Sequence, residues 1–234
     1  MGITKAELID KKQLTDDVIE LIFKPNKKFV FQAGQFITIK VKDKNPTPVF
    51  RGYSISSKPQ EDRFELCIKL MENGRGSTYL KNLNKGDEIE FLGPNGHFLF
   101  KNTPQKKSIF IATGTGLAPI KSIIENELLD KNYKGDLLLL FGVRYVNGIF
   151  YKNTWRNFAK KYPNFKYEIT VSRPEDTTYT GNKGRVTDLL EKISFNPQNT
   201  NFYLCGLKEM IDSVNEILTA KKVPTENIFF EKFD

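Results

Sequence analysis

Apolar and polar residues alternate over residues 35–41 (Gln-Phe-Ile-Thr-Ile-Lys-Val) and again over 64–70 (Phe-Glu-Leu-Cys-Ile-Lys-Leu). A period of two marks a half-buried strand. Short β segments of this kind, broken by turn-forming stretches at 45–48 and 84–87, run from Ile3 to about Phe100, with one short helix predicted over 77–82. Several close strands with so little helix predict a small antiparallel β-barrel. Beyond Asn102-Thr103-Pro104 the rhythm changes. Apolar runs at 108–112, 137–143, 166–171, 201–205 and 227–231 read as strands, and helical patterns over 118–129, 154–161, 186–193 and 208–218 lie between them. Strands alternating with helices predict a parallel, doubly wound α/β sheet. The expectation is therefore two domains, a barrel over 1–103 and an α/β domain over 104–234, with the boundary region near 101–106.

Composition narrows the chemistry more than the fold. No stretch reaches the ~20 apolar residues that a membrane span needs, and the N-terminus lacks the apolar core of a signal peptide, so a cytoplasmic location is expected. The only two cysteines, Cys67 and Cys205, lie far apart, and His97 is the sole histidine. That excludes a disulfide framework, a zinc or iron–sulfur cluster and a Ser-His-Asp triad; no metal site is expected. Lys and Arg outnumber Asp and Glu 36 to 28, a net charge of +8. This suits either an acidic partner steered by the field or an ordinary surface of solvated lysines. The lysines are scattered, so no nucleic-acid partner is implied.

Two loops carry candidate chemistry. Arg51-Gly52-Tyr53-Ser54 lies on a predicted barrel strand, where Arg51 and Tyr53 share a side and Ser54 takes the other. A guanidinium beside a flat ring could meet a phosphate and an aromatic cofactor, though by periodicity alone this is equally an ordinary exposed strand face. The second loop, Thr113-Gly114-Thr115-Gly116-Leu117-Ala118-Pro119, joins a strand to a helix. Its glycines allow a tight turn and close approach to a pyrophosphate, and Pro119 suits a first helical turn.

In this order the motifs resemble those of the ferredoxin–NADP⁺ reductase family, the plant-type flavoprotein reductases. The resemblance spans nearly the whole chain: Ala33-Gly34-Gln35-Phe36, Arg51-x-Tyr53-Ser54, Gly74-Arg75-Gly76-Ser77-Thr78, Gly93-Pro94-Asn95-Gly96, Gly114-Thr115-Gly116-x-Ala118-Pro119, Tyr203-Leu204-Cys205-Gly206 and Phe230-Glu231-Lys232-Phe233. It implies a flavin-binding barrel and an NAD(P)-binding α/β domain, with FAD, or alternatively FMN, in the first. Arg51 would contact the flavin phosphate, Tyr53 and the adjoining Gly52 would line the ring, and Ser54 would sit near the hydride-accepting atom. Gly76, Ser77 and Thr78 would hold flavin phosphates, although Ser77 could also be a plain helix cap.

By the same resemblance Thr113, Gly114, Thr115, Gly116 and Pro119 would hold the dinucleotide. Cys205 would lie beside the nicotinamide or be a buried core thiol. Glu231 would supply a carboxylate near the flavin. Phe233 stands where plant-type relatives end on a stacking Tyr, and would both cover and gate the ring. Arg144, Ser172, Arg173 and Arg185 would grip a 2′-phosphate, favouring NADPH over NADH. The implied activity is electron transfer between NADPH and an acidic one-electron carrier, a ferredoxin or flavodoxin, by a monomer. Alternatives are the reductase component of an oxygenase system, an NAD(P)H:flavin reductase, or a non-catalytic electron-transfer subunit of a larger complex. Cys67 is read as barrel core and His97 as a loop residue.

Overall fold

The barrel is built from β1 (Thr4–Thr15), β2 (Val18–Pro25), β3 (Phe36–Val41), β4 (Val49–Ser54), β5 (Phe64–Lys69) and β6 (Glu88–Asn95), with α1 (Arg75–Asn82) between the last two. The strands pair antiparallel in the order β4-β3-β6-β1-β2-β5. An Ile55–Leu66 bridge and a 2.8 Å bond from Ser56 N–H to Glu65 O join the two outer strands. This closure removes the open edges that an antiparallel sheet would otherwise expose. The computed structural model describes residues 2–45, 47–103 and 107–233; Pro104, Pro46 of the turn at 45–48 and the terminal Asp234 lie outside the described residues. The expected boundary at 103/104 abuts them.

The second sheet contains β7 (Lys107–Thr113), β8 (Leu137–Val143), β9 (Phe165–Val171), β10 (Asn182–Lys183), β11 (Thr200–Leu207) and β12 (Ile228–Phe233). All neighbours are parallel, in the order β10-β9-β8-β7-β11-β12. Four helices follow the strands: α2 (Leu117–Glu125), α3 (Lys152–Lys161), α4 (Val186–Glu191) and α5 (Lys208–Ala220). Ile109, Ile111, Leu140 and Leu204 on one face of the sheet join Leu190 of α4 and Val214 of α5 in one core. Phe110, Phe141 and Tyr203 on the other face pack with Ile123 of α2 and Trp155 of α3. Chain order reverses between β7 and β11, and a doubly wound sheet binds its ligands in the crevice at such a switch point.

Two expectations change. The helix predicted over 118–129 stops as α2 at Glu125 and continues as a wider π-type turn, Asn126–Asp130. Cys67 is buried, but not in the barrel interior. It faces outward into a core that also contains Val18, Leu117, Ile123 and Phe141, so it belongs to the junction of the domains. For the same reason Val18 to Phe23 are buried without alternation: Ile19, Leu21 and Phe23 fill the barrel, while the opposite face is covered by the second domain.

Candidate functional site

On the barrel side, Arg51 and Tyr53 converge on the first turn of α1. A Cβ at Gly76 would lie 2.4 Å from Tyr53 Oη and 3.0 Å from Arg51 Cγ, so a side chain there would push these two groups aside. Gly52, between them, has ordinary room and is exposed. Arg51 has no carboxylate partner among the described residues; its Nη1 donates to Phe50 O at 3.0 Å. Tyr53 is half-buried, and burial pushes its hydroxyl up to about 12, so the phenol is neutral.

The start of α1 offers backbone donors, as helix N-termini do. Among the described residues no backbone acceptor serves the N–H groups of Arg75, Gly76 or Ser77, whereas Thr78 N–H already bonds Gly74 O at 2.9 Å. The Ser77 hydroxyl is also engaged, accepting from Met71 N–H and donating to Gly74 O, both at 3.1 Å. Ser77 therefore has a backbone donor to offer, not a hydroxyl, and Thr78 the reverse. Arg75 grips Asp43 through two bonds of 2.6 and 2.8 Å and holds that carboxyl below its ordinary range. Beside this turn lies a surface cavity of about 560 Å³, lined in part by Lys42, Asn73, Arg75, Thr78 and Tyr79.

On the α/β side, Gly114–Gly116 form a single 3₁₀ turn that runs directly into α2. Gly114 has φ +52°, left-handed backbone over open space. Gly116 also has a packing duty. A Cβ there would lie 2.2 Å from Cys205 O, so its missing side chain lets the loop pack onto β11. The Thr113 hydroxyl is buried, with no hydrogen-bond partner among the described residues. Thr115 is half-buried, and Pro119 is buried in the first turn of α2.

The two sides meet at the ends of three strands. Register places Cys205 opposite both Ala112 of β7 and Glu231 of β12. Ser54 Oγ donates to Glu231 Oε1 at 3.0 Å, across 177 residues of sequence and across the domain junction. Burial raises the Glu231 carboxyl above its ordinary range, against the opposing effect of that bond. Cys205 is fully buried; burial and the nearby Glu231 charge push its thiol well up, so it is not a thiolate nucleophile. Phe233, on β12 opposite Leu207, is half-buried against the shared core. His97 is exposed beyond β6.

A third group gathers where β8 and β9 end. Arg173 N–H bonds Arg144 O at 2.8 Å, and Ser172 N–H bonds Val143 O at 3.0 Å. Gly184 N–H bonds Val171 O, which brings Arg185 to the same edge. Among the described residues none of these three arginines has a carboxylate partner.

The sequence reading passed over one cluster. Lys121, Glu20 and Glu65 lie at the domain junction with Glu125 and Tyr151. A charged residue inside the apolar run Leu117-Ala118-Pro119-Ile120-Lys121-Ser122-Ile123-Ile124 was the available signal. Among the described residues no three metal-ligating side chains come together, and no helix is long and apolar enough to cross a membrane.

A barrel with a phosphate-ready helix start, joined to a doubly wound sheet with a nucleotide loop at its switch point, defines a flavin- and nicotinamide-binding oxidoreductase class. Comparison with known proteins agrees. The oxidoreductase FAD-binding domain family matches residues 5–100, and the oxidoreductase NAD-binding domain family matches 110–216. The chain is 32% identical over 244 residues to "Ferredoxin--NADP reductase B" of Sorangium cellulosum, covering 98% of this chain and 97% of that protein. It is 29% identical over 232 residues to the "Toluate 1,2-dioxygenase electron transfer component" of Pseudomonas putida, covering 98% of this chain and 67% of that one. Among solved structures, a ferredoxin-NADP⁺ reductase from Plasmodium falciparum with 2′P-AMP is 28% identical, with a TM-score of 0.84, covering 99% of this chain and 97% of that chain. The chain belongs to the ferredoxin reductase-like family of flavoprotein oxidoreductases, with an FAD-binding and an NAD(P)-binding domain.

Proposed function

We propose that this protein transfers electrons between NADPH and a one-electron carrier protein, a ferredoxin or flavodoxin. The Ser54–Glu231 hydrogen bond carries the reading, because it draws the barrel strand of the flavin motif and the last strand of the nucleotide domain into one place. Bound FAD would supply the hydride-accepting ring and the capacity to release electrons singly.

The chain's own residues bind and orient. Arg51 and the N–H groups at the start of α1 hold the flavin phosphates, and Tyr53 flanked by Gly52 lines the ring. The cavity beside α1 gives room for an adenosine half, which supports FAD over FMN. Ser54 donates its hydroxyl proton to a Glu231 carboxylate oxygen, which keeps a hydrogen bond ready at the hydride-transfer crevice. Cys205, neutral and small, lets a nicotinamide approach without reacting with it. Phe233 covers the crevice and excludes water until the nucleotide displaces it. Thr113 and the turn of Gly114, Thr115 and Gly116, backed by Pro119, receive the dinucleotide. Arg144, Arg173 and Arg185 with Ser172 take the 2′-phosphate; cations without a carboxylate partner among the described residues are suited to a charged ligand. The proposed division is 1–103 for the flavin and 104–234 for the nucleotide. A net charge of +8 complements an acidic carrier.

The likeness to the toluate dioxygenase component favours a second reading, the reductase of an oxygenase system. The test is reduction of a panel of ferredoxins, flavodoxins and free flavins by the purified yellow protein with NADPH and with NADH. Rapid NADPH-driven reduction of a ferredoxin or flavodoxin is expected. A colourless protein that FAD cannot reconstitute sinks the reading, and reduction of free flavin alone replaces it with a flavin reductase.

A further inference from the structure

The junction between the domains is mostly apolar, but one polar seam runs through it along α2. Lys121 is 5% exposed. Its Nζ donates to Ser56 O at 3.1 Å and to Glu65 Oε2 at 3.1 Å, and meets Glu125 Oε1 at 3.0 Å. An ammonium has three protons, and all three are assigned. One residue on, Ser122 Oγ donates to Ser57 O at 2.6 Å. One turn on, Glu125 Oε2 accepts from Lys58 N–H at 3.4 Å, and Lys58 Nζ reaches Asp130 at 2.6 Å. Consecutive barrel residues 56, 57 and 58 are thus each matched to a successive position along the helix.

The far side of Lys121 is closed by Tyr151, whose ring centre lies 5.1 Å from Nζ. The Tyr151 hydroxyl donates to Glu20 Oε1 at 2.5 Å, and its backbone is held at φ +56°. A bulky residue in left-handed backbone persists only where its surroundings impose it.

Both ends of the seam lie close to the chemistry. Ser56 is two residues past Ser54, about 7 Å of extended chain. Lys121 is five residues past Gly116, about 7.5 Å of helix. Burial of apolar surface is non-directional and lets two domains slide against each other. A saturated buried ammonium admits one registration, the use best attested for buried polar groups. We propose that Lys121 is a positioning residue for hydride transfer: its three hydrogen bonds set the separation between the flavin face at Tyr53–Ser54 and the nucleotide turn at Gly114–Gly116. This rests on the reading that flavin and nicotinamide meet in that crevice.

Stopped-flow reduction of the FAD-loaded full chain by NADPH, and by NADPH deuterated at the transferred position, tests it. In Lys121→Met the rate of flavin reduction should fall about tenfold or more, since small misplacements of reacting groups are costly. NADPH affinity should stay within about twofold and flavin content should be unchanged, because neither ligand touches Lys121. The deuterium isotope effect should rise as hydride transfer becomes limiting, and Lys121→Arg should recover most of the rate. Where Lys121→Met does not fold, Ser122→Ala removes one rung and should slow reduction about threefold. A folded variant reduced at the wild-type rate overturns the proposal. Parallel losses of rate, NADPH affinity and flavin overturn it in favour of a plain structural tie. A wild-type flavin that NADPH does not reduce overturns the underlying reading and the proposal together.

Discussion

Phe64 and Glu65 are neighbours on β5 that face opposite sides of the barrel wall. Phe64 points inward, where the ring centres of Phe23, Phe29 and Phe91 lie 5.5, 5.4 and 5.4 Å away. Glu65 points outward, yet it too is covered, accepting from Lys121 under the second domain. The interior is specified by volume and shape, which several sets of apolar side chains could satisfy. The junction is specified by which donor meets which acceptor. Shape alone holds a fold together, while paired polar groups decide how two folded bodies are registered. The arginines at the end of β8 and β9 make the third term of the comparison: charges without a carboxylate partner among the described residues.

Four experiments test this contrast. The largest effect belongs to the interior: Phe64→Ala should cost about 3–5 kcal/mol, measured by denaturant unfolding, with flavin lost early in the transition. A loss below about 1 kcal/mol would mean that the aromatic cluster is not the barrel's core. Next come the unpartnered cations. Arg173→Ala with Arg185→Ala should raise the KM for NADPH about thirtyfold, near 2 kcal/mol, with little change for NADH. Equal effects on both nucleotides would remove the assignment of the 2′-phosphate.

A smaller effect is expected at the seam. Tyr151→Phe deletes one hydroxyl and leaves Glu20 with a lost donor, at a cost of about 1 kcal/mol in urea unfolding. No change would show that the Glu20 contact is incidental. The smallest concerns pH. The fold raises the carboxyl of Glu231, so it favours the protonated form. That contribution is fully present below the ordinary carboxylate range and is lost as pH rises through the raised value. Glu231→Gln should therefore flatten part of the decline in melting temperature as pH rises above the ordinary carboxylate range. Glu125 and Glu127 are raised by burial too, so some slope should remain; an unchanged slope would dissociate Glu231 from it.

Much of the fold was legible in the chain. The alternation at Phe36–Val41 and Phe64–Lys69 is written in adjacent residues, as is the strand–glycine–helix passage through Gly114–Gly116. Residues Val18 to Phe23 were harder to read, because a strand covered on both faces loses its alternation. The two-residue β10 is too short to carry any period. At the site, the motifs pointed to Arg51, Tyr53, Ser54, Cys205 and Glu231, but not to the separate duties of Gly114 and Gly116. They did not point to Lys121 at all.

The features readable from the chain alone were local: strand and helix periods, the turn at Gly114, and the charge pattern. These follow from backbone sterics and from the periodic burial of nearby side chains, which act over a few residues. The tertiary structure decided the rest. Ser54 finds Glu231 over 177 positions, and Lys121 finds Ser56 over 65. Cys67 became junction rather than barrel core, and Lys121 a buried cation rather than a solvated one, only when the second domain covered the barrel's outer face. Burial and partnership are properties of the packed molecule. They set which charges are satisfied within the protein and which remain for a ligand.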